Sequence, residues 1–483
     1  MKKKQIAFPT QGLDKEALLE KLRLLKTDDA RWKMGRTFAH IYNPGNDISE
    51  MVREAYNLFY YENALNPYAF PSLRKMELDV VGMAASLLGG NEETTGTINN
   101  GGTESIFLAM HSAREWAKEH HHVTETPEVI IPASAHPAFH KACHYLGLKP
   151  VVVPVGTDYR VNLAEAWKAI TPHSIAIIGS APSFPHGVID NIPKLAELAA
   201  ENNLWLHVDA CVGGFILPFA RKLGHLIPDF DFSVAGVYSI SADLHKYAYA
   251  AKGSSVLLYK NAQLRRYQLF TYTGWSGGIY ASPSFGGTRA GGAIAAAWAA
   301  FNGIGEAGYL KLTEKTLQTV RRLRQGIENI KGIKLITPPD ISLLAVGSDK
   351  LDIYAIADEL SEKGWFINRQ FKPACMHLTV CPIHADVADE FLLDLQQATE
   401  KVQKLSFTRF ANTMQLAAVK GLKKILSPEN FQKLKSLTTS GKSDNVSKNS
   451  SVIYGVFDEL AGTSELNNMV IDALDNLYTN LED

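Results

Sequence analysis

Cysteine is scarce in this chain of 483 residues: Cys143, Cys211, Cys375 and Cys381 are widely scattered and form no CxxC pair. That spacing argues against a disulfide framework or a zinc site and fits a reducing, cytoplasmic compartment, with the thiols in the core. Neither sign of charge is in excess, with 49 Lys and Arg against 50 Asp and Glu. Nothing global therefore points to nucleic acid or to an acidic membrane surface, and a charged ligand has to be held locally. Long apolar runs are missing as well. The longest, AIAAAWAAF from Ala293 to Phe301, falls far short of the roughly 20 residues that cross a bilayer. The basic start MKKKQIAFPTQGLDKE lacks the apolar stretch of a signal peptide. Internal repeats are absent too. What remains is a soluble, globular chain whose 46% hydrophobic residues suffice for a large core in two or three units.

From about Asn99 helical and extended segments alternate regularly, the signature of an α/β unit with a mainly parallel sheet and helices on both faces. Thr103 to Glu119, Pro137 to Tyr145, Leu163 to Ile170 and Pro193 to Glu201 read as helices. EVIIPA, KPVVVPV, SIAIIGSA and LWLHVDA read as strands between them. After Gly305 a long basic helix, Tyr309 to Asn329, opens a smaller α/β unit containing IKLIT, ISLLAVG, a helix from Asp352, short strands around Trp365 and His377, and a helix from Ala385. These shifts predict an arm over residues 1–65, a large unit over 66–305 and a smaller one over 306–483. Within the last, the polar stretch TTSGKSDNVSKNSS (438–451) reads as a mobile loop.

Three local patterns carry chemistry. In NNGGTES, paired glycines precede a helix start, where free backbone N–H groups and the helix dipole favour an anion such as phosphate. By itself this is more often simple capping. LHVDAC ends an apolar strand on Asp209, at the strand end where open α/β sheets bind ligands, so its carboxylate can pair with a cationic ring nitrogen. It can equally cap the turn at Gly213 and Gly214. In SADLHKYAY, Lys246 sits between two apolar strands. A buried ammonium is costly, so either it escapes to solvent or it has lost its charge. A neutral amine, with Lys252 as the neighbouring cation that lowers its proton affinity, is a nucleophile for an aldehyde. Phosphate cradle, carboxylate and lysine, taken together, match the phosphate, ring nitrogen and aldehyde of pyridoxal 5'-phosphate. His136, after the strand EVIIPA, can then stack on the ring; for a lone histidine a satisfied or exposed side chain is otherwise the commoner reading.

The stretches NPYAFPSLRKMELDVV, NNGGTESIFLA, SAHPAFHKA, FPHGVIDNIPKLAELA, LHVDACVGGF, SISADLHKYAYAAKGSSVLLY and GWSGGIYASPSFGGTRAGG stand in one consistent order from Asn66 to Gly292. In them the chain resembles the group II pyridoxal-phosphate-dependent decarboxylase superfamily, and within it the sphingosine-1-phosphate lyase family. Weaker similarity extends to YGVFDELAG. The resemblance implies the fold type I, transferase-like architecture and a homodimer with shared active sites. It implies that Lys246 forms the Schiff base, Asp209 pairs with the ring nitrogen and His136 stacks on the ring. Gly102, Thr103 and His245 are expected at the coenzyme phosphate, and Lys252, Tyr42, Tyr454 and Asn66 at the substrate, with Tyr42 reaching into the partner subunit's site. The expected reaction is carbon–carbon cleavage of a phosphorylated sphingoid base to a long-chain aldehyde and phosphoethanolamine.

Two features depart from the family pattern. The segment Asn66 to Pro71 is short and lacks the usual histidine, and the membrane anchor of eukaryotic members is absent, which suggests a microbial, soluble version. Decarboxylation of glutamate or an aromatic amino acid uses the same three handles and is the alternative. A silent binding protein of the same fold is the remote one, against which an intact Lys246 and Asp209 speak.

Overall fold

The computed structural model describes residues 7–120, 125–410 and 462–479. The polar stretch 438–451 and Tyr454 lie outside them. The chain begins with α1 (Lys15–Leu25), α2 (Asn46–Leu58) and α3 (Pro71–Leu87). The large sheet and its helices follow as β1 (Thr95–Asn99), α4 (Gly102–His120), β2 (Glu128–Pro132), α5 (Ala138–Leu146), β3 (Lys149–Val153), α6 (Leu163–Lys168) and β4 (Ser174–Ser180). They continue as α7 (Ile192–Glu201), β5 (Trp205–Asp209), α8 (Leu217–Lys222), β6 (Val237–Ala242), β7 (Ser255–Tyr259) and α9 (Ala262–Arg265).

The seven strands lie in the order β1-β7-β6-β5-β4-β2-β3, and β7 alone runs against the others. Such strands are buried on both faces, which is why they read as unbroken apolar runs. Alternate residues part to opposite sides. Val129, Ile131, Ala176 and Ile178 pack with α4 and α5, whereas Ile130, Ile177, Leu206 and Ile240 pack with α3, α7 and α10 (Gly291–Asn329). Each such valine, leucine or isoleucine contributes about 1.5–3 kcal/mol of burial.

Local chemistry sets the helix ends. The Asn191 side chain accepts from Lys194 N–H at the start of α7, and α5 stops at Gly147, whose φ of 66° needs no Cβ. In α4, Glu104 occupies the first turn and Lys118 and His120 the last, complementing the helix dipole.

The hairpin β8 (Phe270–Trp275) and β9 (Gly278–Ser282) leads into α10, which begins eighteen residues earlier than the sequence reading of a helix from Tyr309. The Ala-rich run from Ala293 forms its buried first half, and Gly305, at φ 61° and ψ 175°, breaks it. A four-stranded antiparallel sheet follows, ordered β10-β11-β13-β12, from β10 (Lys334–Leu335), β11 (Leu343–Gly347), β12 (Asn368–Gln370) and β13 (Cys375–Thr379). The helices α11 (Ile353–Glu362), α12 (Ala388–Phe410) and α13 (Ser464–Thr479) complete the description. Trp365 precedes β12 rather than lying in a strand: its ring is buried against Phe38 and Phe391.

The N-terminal segment is divided in its packing. Helix α1 buries no residue in its own chain, α2 lies along α10, and Phe38 is fully buried in the core of the smaller sheet. His384 fixes that last contact. Its ring stacks on Phe38 with centroids 4.1 Å apart, its Nδ1 accepts Cys381 N–H at 2.8 Å, and its Nε2–H donates to Thr37 O at 3.0 Å. The residues just after, His40 and Tyr42, are thereby carried to the large sheet.

Candidate functional site

The parallel strands β4, β5 and β6 and the parallel-running β1 all end on one edge of the sheet, at Ser180, Asp209, Ala242 and Asn99, and ligands of open α/β sheets bind at this edge. A cavity of about 1000 Å³ opens there. Its wall includes Gly102, Thr103, His136, Asp209, His245, Lys246, Lys252 and Tyr42. Eight of the expected residues thus converge from segments spread between residues 42 and 252. Asn66 does not join them: it is exposed in a turn before α3, where its Oδ1 accepts Tyr68 N–H at 2.9 Å.

Lys246 lies in the connection from β6 to β7 and meets Asp243, whose Oδ2 is 2.9 Å from its Nζ. The expectation of an ammonium that escapes or discharges is corrected here. Burial pulls the lysine down, but Asp243 more than reverses this and holds it well above its ordinary value. Asp243 is itself buried, which pushes its carboxyl up, yet Lys246 and His245 bring it below the usual range. The neighbouring cation acts in the other direction from that expected: Lys252 is the amine whose affinity for its proton falls, through burial and through Lys246. Its Nζ donates to His40 O at 2.7 Å and stands 5.5 Å from the centre of the Tyr42 ring.

Asp209 is not the cap of the turn at Gly213 and Gly214, where Gly214 N–H goes to Ala210 O at 2.7 Å. Its Oδ1 accepts Cys211 N–H at 3.0 Å, a local turn contact, and the residue also faces the cavity. Behind it stands a buried chain in which Ser241 Oγ is 3.4 Å from Asp209 Oδ1 and 3.2 Å from His207 Nε2. His136 lies close enough to Asp209 for the carboxylate to offset part of the effect of burial, which lowers the imidazole's affinity for a proton. Its Nδ1 accepts Ala138 N–H at 3.1 Å, so a neutral ring carries its proton on Nε2.

At the start of α4, Gly101 has φ 142°, and a Cβ added to Gly102 would stand 2.7 Å from both Asp243 oxygens. Gly101 and Gly102 line the cavity where α4 begins, and the first N–H groups of a helix have no intrahelical partner, as an anion cradle requires. Tyr42 differs from its expected placement, since its ring lines the cavity of its own chain and meets Tyr247 edge-on at 4.8 Å. Burial holds its phenol protonated well beyond the ordinary tyrosine range, with Lys246 opposing this in part.

Several residues with no role in the sequence reading belong to the site. Asp243 is one, and its signal is present in SADLHK as an acid three residues before the lysine. Glu104 is another: its carboxylate accepts from Asn100, Phe285 and Gly286 N–H, binding the stretch before α10 to the start of α4. Asn368 and Thr379 bring in the smaller sheet, which Phe184 meets through His377, and no local pattern announces them.

Pyridoxal phosphate fits these groups. Among the cavity-lining residues, Ser180 Oγ is buried without a hydrogen-bond partner, so a polar atom awaits a ligand there. The volume is at the upper end of the ~300–1,000 Å³ usual for ligand pockets and leaves room for a substrate headgroup beside the coenzyme.

The pyridoxal-dependent decarboxylase conserved domain matches residues 1–346. Sphingosine-1-phosphate lyase 1 of Rattus norvegicus is 42% identical over 400 residues, 82% of this chain and 70% of that one. Sphingosine-1-phosphate lyase of Arabidopsis thaliana is 42% identical over 410 residues, covering 83% and 75%. The solved sphingosine-1-phosphate lyase of Burkholderia pseudomallei superposes with a TM-score of 0.80 at 36% identity, covering 86% of this chain and 97% of that one. Among the described residues no helix is long and apolar enough to cross a membrane. With a lysine, two carboxylates and a glycine cradle gathered at the edge of such a sheet, the chain belongs to the pyridoxal-dependent decarboxylase family, in its sphingosine-1-phosphate lyase branch.

Proposed function

We propose that this chain binds a phosphorylated long-chain amino alcohol and cleaves the bond between its amino-bearing and hydroxyl-bearing carbons, releasing a long-chain aldehyde and phosphoethanolamine. The observation that carries the reading is the second lysine: Lys252 shares the cavity with Lys246 and stands beside Tyr42. A coenzyme with one phosphate needs one anion site. A substrate with its own phosphate needs another, and Lys252 with the Tyr42 hydroxyl supplies it.

When bound, pyridoxal phosphate supplies the electron sink that makes cleavage next to an amino-bearing carbon accessible. The chain supplies the rest. Gly102, Thr103 and His245 would hold the coenzyme phosphate, His136 would cover one face of the ring, and Asp209 would hold a proton at the ring nitrogen. Lys246 Nζ would engage the aldehyde, and Lys246, Lys252 and Tyr42 are the groups on the cavity wall that could move a proton at the reacting carbons. Tyr42, kept protonated by burial, donates a hydrogen bond, and Lys252 anchors the headgroup.

Helix α1 exposes Leu18, Leu19, Leu22 and Leu25, and the hairpin exposes Phe270, Tyr272, Trp275 and Ile279. Two copies of the chain covering these surfaces make a homodimer, which would also bring Asn66 against a partner. The chain is divided at Gly305 into a coenzyme-binding unit and a smaller one. The four buried thiols fit a cytoplasmic setting.

The test is direct. The purified chain, loaded with pyridoxal phosphate, is given sphinganine phosphate and, separately, glutamate, aspartate and tyrosine. Aldehyde and phosphoethanolamine in equal amounts are expected from the first. Carbon dioxide from an amino acid, without aldehyde from the lipid, would overturn the reading in favour of a decarboxylase.

A further inference from the structure

Behind Asp209 lies a line of polar side chains for which the reaction has no direct use. Strand residues alternate in direction, so Trp205, His207 and Asp209 of β5 share a face with Ser239 and Ser241 of β6, where His207 pairs with Ser239 and Asp209 with Ser241. Their contacts zigzag between the strands. Trp205 Nε1 is 2.8 Å from Ser239 Oγ, which is 2.8 Å from His207 Nδ1. On the other side of the ring, His207 Nε2 is 3.2 Å from Ser241 Oγ, and that oxygen is 3.4 Å from Asp209 Oδ1 and 3.4 Å from Cys211 Sγ. Trp205, His207, Ser239 and Ser241 are fully buried and do not line the cavity, whereas Asp209 and Cys211 do. Polar groups in the middle of such an apolar sheet are costly unless each is paired.

Counting hydrogens gives the line a direction. An indole N–H can only donate and a carboxylate can only accept. Burial pulls the His207 imidazole down to about 4, so the ring is neutral and has a single N–H. With that hydrogen on Nδ1, Ser239 Oγ would receive two hydrogens while its own had no acceptor, and Ser241 would donate to the ring instead of to Asp209. With it on Nε2, every hydrogen is used. Trp205 donates to Ser239, Ser239 to His207 Nδ1, His207 Nε2–H to Ser241, and Ser241 to Asp209 Oδ1. Cys211 N–H reaches the same carboxylate oxygen at 3.0 Å. Both donors end on Oδ1, which leaves Oδ2 for a partner in the cavity.

We propose that His207 and Ser241 form a positioning relay for the reaction: His207, held as the Nε2–H tautomer by Trp205 and Ser239, turns the Ser241 hydroxyl onto Asp209 and so presents Asp209 Oδ2 to the coenzyme's ring nitrogen. A carboxylate held by two donors on one oxygen loses the freedom to rotate away, and fixed geometry is what such supporting contacts contribute. The relay acts only through Asp209. The inference rests on the coenzyme-site reading above and is independent of which substrate is cleaved.

Neutron diffraction from deuterated crystals of the unaltered, coenzyme-loaded protein reads the tautomer directly. Deuterium is expected on His207 Nε2 and on Ser241 Oγ toward Asp209; deuterium on Nδ1, or a Ser241 hydroxyl aimed at the ring, would overturn the proposal. Ser241→Ala tests the consequence with two probes, pyridoxal phosphate and its analogue carrying C–H in place of the ring nitrogen. The dissociation constant for pyridoxal phosphate should rise about three- to tenfold, the worth of one hydrogen bond, while that for the analogue stays level. A loss of equal size for both probes would make Ser241 structural, and no loss for either would remove the relay; each result overturns the proposal. Should Ser241→Ala fail to fold, the deuterium positions in unaltered protein decide. Failure of unaltered protein to take up pyridoxal phosphate at all would instead sink the coenzyme-site reading, and the inference with it.

Discussion

Replacing Gly102 with alanine separates the fold from the site. The new methyl would stand 2.7 Å from Asp243 Oδ1 and Oδ2 and 3.0 Å from its Cγ, where ordinary contacts begin at 3.4 Å. Something has to yield by several tenths of an ångström. Asp243 cannot do so freely, because Lys246 pins one of its oxygens at 2.9 Å. Overpacking of this kind costs about 1–3 kcal/mol. Against that, alanine is favoured over glycine in a helix by up to ~1 kcal/mol, and Gly102 is the first residue of α4 with no left-handed φ to lose. The net change in folding stability is therefore small, about 0–2 kcal/mol. Coenzyme binding suffers as well, since the methyl displaces Asp243, which touches both Gly102 and Lys246, and each ~1.4 kcal/mol is a factor of ten in affinity. Absorbance titration with pyridoxal phosphate should give a dissociation constant raised about tenfold or more, while the urea midpoint moves little. Unchanged affinity in a folded Gly102→Ala protein would refute the cradle, and losses of equal size in both measurements would make the glycine structural.

Two further outcomes are expected. Lys252→Ala should raise KM for the phosphorylated amino alcohol by about tenfold, as loss of a charge-assisted hydrogen bond implies, while the visible absorbance of the bound coenzyme stays; unaltered kinetics would remove Lys252 from the site. His207, His377 and His384 are each buried and pulled down to about 4. Their unfolded value is near 6.5, so the stability they confer is complete above that pH and is lost as pH falls from ~6.5 toward ~4, by at most about 3 kcal/mol for each. The denaturation midpoint should drop steeply across this window, and a midpoint that rises or stays level there would contradict the burial of neutral imidazoles.

The strands and the three handles are legible in the sequence because each is a local pattern. An apolar run ends at Asp209, glycines precede an amphipathic helix at Thr103, and a lysine interrupts two buried strands at 246. The sign of the charge on Lys246 is not legible in the same way. It depends on whether Asp243, three residues earlier in a non-helical turn, points toward the amine or away, and only the folded connection between β6 and β7 decides this. The early start of α10 is hidden because the Ala-rich run from Ala293 is apolar on all sides and shows no face. Tyr42 and His40 reach the cavity through the anchoring of Thr37 and Phe38 by His384, more than 340 residues away in sequence. Asn66, expected beside the substrate, caps a turn at the surface. Long-range placements of this kind follow from packing between units, which no short motif encodes.

The central claim is that one amine, Lys246, holds the coenzyme through which this chain acts. Borohydride reduction of the loaded protein, followed by peptide mass mapping, tests it most directly. A pyridoxyl group on Lys246, lost together with colour and aldehyde production in Lys246→Ala, is the predicted result. A coloured and active Lys246→Ala protein, or a pyridoxyl group found on another lysine such as Lys252, would contradict it.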